Sequence, residues 1–151
     1  GTGYIVDHLR GQLQRILGVE QEWDVALVGA GAVGNAIMRY GGFSGRGFRI
    51  SVVFDNDPDK IGRRIKQLEV IPEERMSSTI QKMGIRVAML AVPAEHAQEV
   101  AKKLVEAGVK AILNYAPVNL MVPSHVHVQH IDPVIGLQRM TYFLTTKLAQ
   151  R

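Results

Sequence analysis

Two hydrophobic periods alternate along this chain. Val25-Ala26-Leu27-Val28 is a continuous apolar run of strand length, and from Val33 to Tyr40 apolar residues return at helical spacing. Gly29-Ala30-Gly31-Ala32-Val33-Gly34 joins the two, so the reading is strand (Asp24 to Val28), tight turn, helix ending near Gly41-Gly42. A Gly- and Ser-containing loop, Phe43 to Gly47, leads to a second strand, Phe48 to Phe54. Leu68 to Ile71 is a short third strand ending at Pro72. A helix capped by Ser77 or Ser78 runs to Met83, and Gly84 turns the chain into a fourth strand, Arg86 to Val92, stopped by Pro93. Ala97, Val100, Ala101, Leu104 and Val105 mark one face of a helix from Glu95 to Ala107, ended by Gly108. Strands Lys110 to Tyr115 and Val126 to Ile131 follow. Strands that alternate with helices predict an α/β fold, a doubly wound and mostly parallel Rossmann sheet over residues 23–132.

Helices flank that unit on both sides. Ile5, Val6, Leu9, Leu13, Ile16 and Leu17 share one face of a lead-in connector helix, residues 4–17 within a segment 1–22. At the other end Asp132-Pro133 is a helix start, with an acidic cap and proline in the first turn, for a helix running to Ala149 within 133–151. Val134, Leu137, Thr141, Leu144 and Leu148 form its seam. Met140 and Phe143 widen the seam, while Ile135 and Tyr142 lie further round. One sheet face cannot cover so wide an apolar surface, which points to a dimerisation helix inserted between subunits.

The chemistry begins at the G-x-G-x-x-G turn. Gly29 allows the sharp turn, Gly31 lets a pyrophosphate approach the main chain, and Gly34 lets the helix pack close to the strand. The amides of Ala30, Ala32 and Val33 then face the phosphates at a helix N-terminus. Asp55 lies 21 residues after Gly34, where a dinucleotide fold places the carboxylate that grips the adenine ribose. Its charge favours NAD over NADP, although Arg63, Arg64 and Lys66 could hold a 2′-phosphate. Asp55 could also be a turn residue before Pro58. Ala91-Val92-Pro93 and Asn114-Tyr115-Ala116-Pro117 end their strands on the same side, so all these segments outline one pocket, the last two at its nicotinamide end.

Composition narrows the classes. The chain has 151 residues, 46% of them hydrophobic and 21% charged, and no apolar run long enough to span a bilayer. A soluble, cytoplasmic single domain is expected. The net charge of +4 is scattered, with no basic stripe for nucleic acid. There is no cysteine, so redox sensitivity must come through a cofactor. His125, His127 and His130 cluster, but without a third ligand type no metal site is expected. The start, Gly1-Thr2-Gly3-Tyr4, is neither a methionine start nor a signal peptide, which suggests a piece of a longer protein.

Taken together, GYIVDHLRGQLQRILG, VALVGAGAVGNAIMRYGGF, FDNDPDKIG, AVPAEHAQEVAKKLVEAGVKAILNYAP and HIDPVIGLQRMTYFL resemble the Rex family of bacterial redox-sensing transcriptional repressors over nearly the whole chain. The resemblance implies a sensor without a catalytic step, which binds NADH or NAD⁺ in its Rossmann domain. It also implies a homodimer that exchanges C-terminal helices and reads operator DNA through an N-terminal winged helix, here missing. Tyr40 and Asp132 resemble the positions that relay nicotinamide state. Gly136, where relatives carry an acid, and Pro133, where they carry an aliphatic, depart from the pattern. The rivals are a CoA-binding or potassium-channel regulatory domain, which share the turn, and a truncated NAD-dependent dehydrogenase.

Overall fold

The structure is a computed structural model that describes residues 8–9 and 22–149. Its strands are β1 (Trp23–Val28), β2 (Phe48–Asp55), β3 (Arg64–Ile65), β4 (Leu68–Pro72), β5 (Val87–Leu90), β6 (Ala111–Asn114) and β7 (His127–His130). Its helices are α1 (Ala32–Arg39), α2 (Met76–Met83), α3 (Ala94–Glu106) and α4 (Pro133–Ala149). The strands form one sheet in the order β3-β4-β2-β1-β5-β6-β7. Every neighbouring pair is parallel except β3 and β4. From β1 the chain builds outward through β2 to β4, then crosses back to β5 on the other side of β1 and continues to β7. That reversal opens a crevice at the carboxyl ends of β1 and β5, where doubly wound sheets bind ligands.

Alternation along the strands sends side chains to two separate cores. Val25 and Leu27 of β1 pack with Ile37 and Met38 of α1 and with Val53, Val70 and Met89. Ala26 and Val28 face the other way, onto Phe54, Ile80 of α2, and Val100 and Leu104 of α3. Val25 to Val28 are all within 1% of complete burial, as expected of a central strand covered on both faces. Each buried Val or Leu contributes about 1.5–3 kcal/mol, so this strand is the rigid base for the turn that follows it.

Three expectations are corrected. Neither Ser77 nor Ser78 caps α2. The helix begins at Met76 after a 3₁₀ turn, Glu73–Arg75, and Ser78 Oγ instead donates to the Arg75 carbonyl at 3.1 Å. The chain is already coiling before either serine, so Arg75 and not a serine occupies the N-cap position. Second, β5 is shorter than foreseen: it ends at Leu90, and once the Ala91 N–H has bonded to the Val28 carbonyl at 2.8 Å the chain turns into the pocket wall. Third, the two-residue strand β3 was not anticipated. It folds back on Leu68–Glu69 through Lys66, which has φ +56°. A strand that short carries no readable period. Gly84, at φ +66°, does end α2, and its amide bonds to the carbonyls of Ile80 and Gln81.

The lead-in helix expected over 4–17 lies outside the described residues except for His8 and Leu9, which are helical and exposed. α4 forms as expected. Asp132 Oδ1 accepts the Val134 N–H at 2.9 Å, and Pro133 is the first helical residue. Its apolar side chains are open. Leu137, Met140, Phe143, Leu144 and Leu148 are each 56–66% exposed. Among the described residues, nothing covers this face, and the side chain of Ile135 lies outside them.

Candidate functional site

A cavity of about 540 Å³ occupies the crevice. The glycine turn forms its floor, and its three motif glycines are glycine for three different reasons. Gly29 has φ +108°, and a Cβ there would lie 2.2 Å from the Ala91 carbonyl oxygen. At Gly34 a Cβ would lie 1.8 Å from the Gly29 carbonyl oxygen. Both are required by the protein's own packing. Gly31 is not. Its φ of −77° suits any residue, and a Cβ would meet only the Lys60 ammonium, at an ordinary 3.6 Å. Within the folded chain the missing side chain at Gly31 serves nothing except open space over the turn.

The turn is held from outside and inside. Asp55, 8% exposed, accepts the Ala30 N–H on Oδ2 at 2.7 Å and the Asp57 N–H on Oδ1 at 2.9 Å, pinning the turn to the end of β2. From within α1, Asn35 Nδ2 donates to the carbonyls of Ala30 (2.7 Å) and Gly31 (3.0 Å). The N-terminal amides of α1 have no side-chain cap, because the residue at that position is Gly31. An anion is the natural partner for such amides.

Of the residues expected at the site, Gly29, Gly31, Ala32, Val33 and Asp55 line the floor and near side. Ala91, Val92, Pro93, Tyr115 and Pro117 line the far wall. The other four stand behind this surface. Ala30 and Ala116 are buried, and Gly34 sits under the turn. Asn114 is fully buried, with Nδ2 donating to the Val118 carbonyl at 2.9 Å and Oδ1 accepting the Ala116 N–H at 2.9 Å. It shapes the Tyr115–Pro117 turn rather than presenting itself. Burial also raises the Tyr115 pKa above its usual value.

The wall also holds residues that sequence reading missed: Asn56, Asp57, Lys60, Glu73, Glu95 and His96. Glu73, only 5% exposed, is paired by His96 Nε2 at 2.9 Å and by Lys103 Nζ at 3.7 Å. His96 Nδ1 lies 3.3 Å from Glu99. A buried carboxylate needs such partners. The residues come from the segment after β4 and from α3, 23 positions apart, and no sequence period links them. Lys60 carried a weak signal, since the Asp-Asn-Asp-Pro turn after β2 doubles back toward the glycines.

The two expected relay residues lie apart. Asp132 roots α4 beside a small cavity that shares Pro117 with the main one. Tyr40 follows α1 at the amino ends of β1 and β2, the opposite end of the sheet from the crevice, packed edge-on against Phe43 at 5.1 Å, in a cavity with Asp24 and Phe48. There Ser51 and Arg49 hydrogen-bond to Asp24 and lower its pKa. His125 precedes β7 instead of sharing a strand face with His127, and His130 Nδ1 lies 3.1 Å from Asn114 Nδ2. Among the described residues no three His, Asp or Glu side chains are placed to hold a metal.

Fold and site together define a nucleotide-binding Rossmann domain, and the sequence model of the family described as "CoA binding domain" matches residues 20–118. Longer matches are more specific. The "Redox-sensing transcriptional repressor Rex" of Chloroflexus aurantiacus is 49% identical over 144 residues, 95% of this chain and 68% of that protein. The protein of the same name from Pelotomaculum thermopropionicum is 47% identical over 150 residues, 99% of this chain and 70% of its own length. Among solved structures, "RSP, a Rex-family repressor" superposes with a TM-score of 0.83 at 33% identity, over 95% of this chain and 69% of that one. The structure of RSP "in complex with beta-NAD+ and operator DNA" gives 0.84 at 33% identity, over 95% and 66%. The chain belongs to the Rex family of redox-sensing transcriptional repressors.

Proposed function

We propose that this chain is the cofactor-reading part of its repressor. It binds NADH and NAD⁺ in the crevice and converts their difference into a change of dimer arrangement, without a chemical step of its own. The observation that carries this reading is Gly31, whose absent side chain is unexplained until a phosphate occupies the space above it. RSP, a solved relative, has been crystallised in complex with β-NADH as well as with β-NAD⁺ and operator DNA, which supports the same ligands here.

In this reading the pyrophosphate rests on the amides of Gly31, Ala32 and Val33. Asp55 receives the adenine ribose. Each of its oxygens already accepts one amide, and each has a further lone pair for a ribose hydroxyl. A 2′-phosphate would meet that carboxylate's charge, so NAD(H) is preferred over NADP(H). The nicotinamide lies toward Ala91–Pro93 and Tyr115–Pro117. NADH and NAD⁺ differ there by a hydride and a positive charge. They shift a two-state dimer only by their differential affinity, about 1.4 kcal/mol for each tenfold preference. Calorimetry on this chain is expected to give tighter binding of NADH than of NAD⁺ or NADPH. Equal affinities for NADH and NAD⁺ would refute the sensor role.

Residues 23–132 act as the cofactor domain, 1–22 as the connector and 133–151 as the dimerisation arm. The open face of α4 is the surface a second subunit would cover, and Asp132 at its root ties it to the pocket. With Leu137→Glu and Leu144→Glu combined, the chain is expected to sediment as a monomer under conditions where the unaltered chain is a dimer. A variant that stays dimeric would exclude this helix as the interface. Tyr40 and Asp132 are the residues through which the signal leaves the pocket, and a winged helix upstream of these residues reads operator DNA in the cytoplasm. No described helix is long and apolar enough to cross a membrane.

A further inference from the structure

The charge of the main cavity does not suit the ligand its shape suits. Among the described residues its lining carries four carboxylates, Asp55, Asp57, Glu95 and the Glu73 that His96 and Lys103 already pair, and a single Lys or Arg, Lys60. A pyrophosphate brings two more negative charges. The uncapped amides of α1 supply part of the compensation, about half an elementary charge by the helix dipole. A basic side chain close to the turn would add to it.

Lys60 is placed to supply it. Its ammonium is the nearest neighbouring group to the position a Gly31 Cβ would occupy, at 3.6 Å. Any group that fills the room above Gly31 therefore touches Lys60. The residue is carried by the turn after β2, where the Lys60 and Ile61 amides both bond to the Asp57 carbonyl, at 2.9 and 3.0 Å. The Asp55–Asp57 hydrogen bond fixes the start of that turn. Lys60's ion pair with Asp57 is long, 3.8 Å, and both side chains are more than a third exposed. Such a pair is weak, and it leaves the ammonium free to change partner. A second cavity that Lys60 also lines, and that borders Gly31 and Ala32, is lined by Arg39, Arg63 and Arg64 and, among the described residues, by no acid, so the field there does not pull the ammonium away from an anion.

We propose that Lys60 is the counter-charge of the cofactor's pyrophosphate, a positioning residue that closes over the glycine turn when the dinucleotide enters. The proposal rests on the dinucleotide reading of the crevice and adds a residue to it. A charge-assisted hydrogen bond in a partly enclosed site accounts for about a tenfold to hundredfold change in affinity.

The test compares the unaltered chain with Lys60→Met and Lys60→Arg by titration with NADH and with ADP-ribose, which keeps the pyrophosphate but lacks nicotinamide, at several salt concentrations. Lys60→Met is expected to weaken both ligands by the same factor, about tenfold or more, and to flatten the dependence of affinity on salt. Lys60→Arg should restore most of the loss. The melting temperature without ligand should be the same in all three proteins. If the unaltered chain binds NADH and Lys60→Met binds it within twofold, the inference is overturned and the dinucleotide reading stands. A loss that arginine does not rescue and that leaves the salt dependence intact also overturns it, since that is the signature of a local structural role. If the unaltered chain binds neither ligand, the dinucleotide reading itself fails.

Discussion

Gly34→Ala is expected to destabilise the fold strongly, because the added methyl would stand 1.8 Å from the Gly29 carbonyl oxygen. Neither group can yield cheaply. The Gly29 amide is held by the Phe54 carbonyl at 2.8 Å, and α1 is packed through Ile37 and Met38 onto the core beneath it. Relief requires the helix to lift from the sheet, and overpacking of this kind costs about 3 kcal/mol or more. For a domain of this size that lowers the melting temperature by about 6–12 °C. Thermal unfolding followed by circular dichroism measures it directly. A variant that melts with the parent would mean that the helix can retreat without loss, and that Gly34 is not a packing residue.

Gly31→Val is expected to behave in the opposite way. The backbone there, φ −77° and ψ −158°, is extended and has no positive φ to strain a side chain, and the space beyond it is open except for the Lys60 ammonium. Folding stability should change by less than about 1 kcal/mol. In the proposed reading the side chain would occupy the volume that the pyrophosphate takes. A forced displacement of about 1–3 kcal/mol corresponds to a loss of NADH affinity of about five- to 150-fold. Melting and calorimetry on the same preparation separate the two effects. A Gly31→Val chain that binds NADH normally would remove the central support for the proposed function. Together the two substitutions divide one motif into a part that the fold needs and a part that the ligand needs.

Much of the architecture was legible because it depends on local patterns. The run Val25 to Val28 is apolar throughout because β1 is covered on both faces, and such a run marks a central strand. Pro72, Gly84 and Gly108 punctuate the chain where the elements end. Asp55 could be placed at the end of β2 by counting from the glycines, and the structure sets it against the turn. The start of α2 was misread, since the 3₁₀ turn at Glu73–Arg75 begins the coil before the serines that resemble a cap. The pair formed by Glu73 and His96 was invisible, because it depends on how α3 lies across the end of β4.

The last helix divides in the same manner. Its cap, its proline and its wide apolar face could be read from residues 132–148, and the surplus of apolar surface already called for a partner. That its face stands open in the single chain, with Leu137 and Leu144 more than half exposed, is a property of the packed structure.

The amino-acid sequence by itself determined the order of strands and helices apart from β3, the position of the glycine turn and the placing of Asp55, which follow from periods and spacings within a few tens of residues, and the family, which follows from a resemblance over nearly the whole chain. Only the tertiary structure decided which motif glycine the chain's own packing does not require, which carboxylates line the crevice, and that Lys60 is, among the described residues, the one Lys or Arg side chain in its lining. These depend on distances between segments far apart in the chain, and such distances are set by how two cores pack on the opposite faces of one sheet.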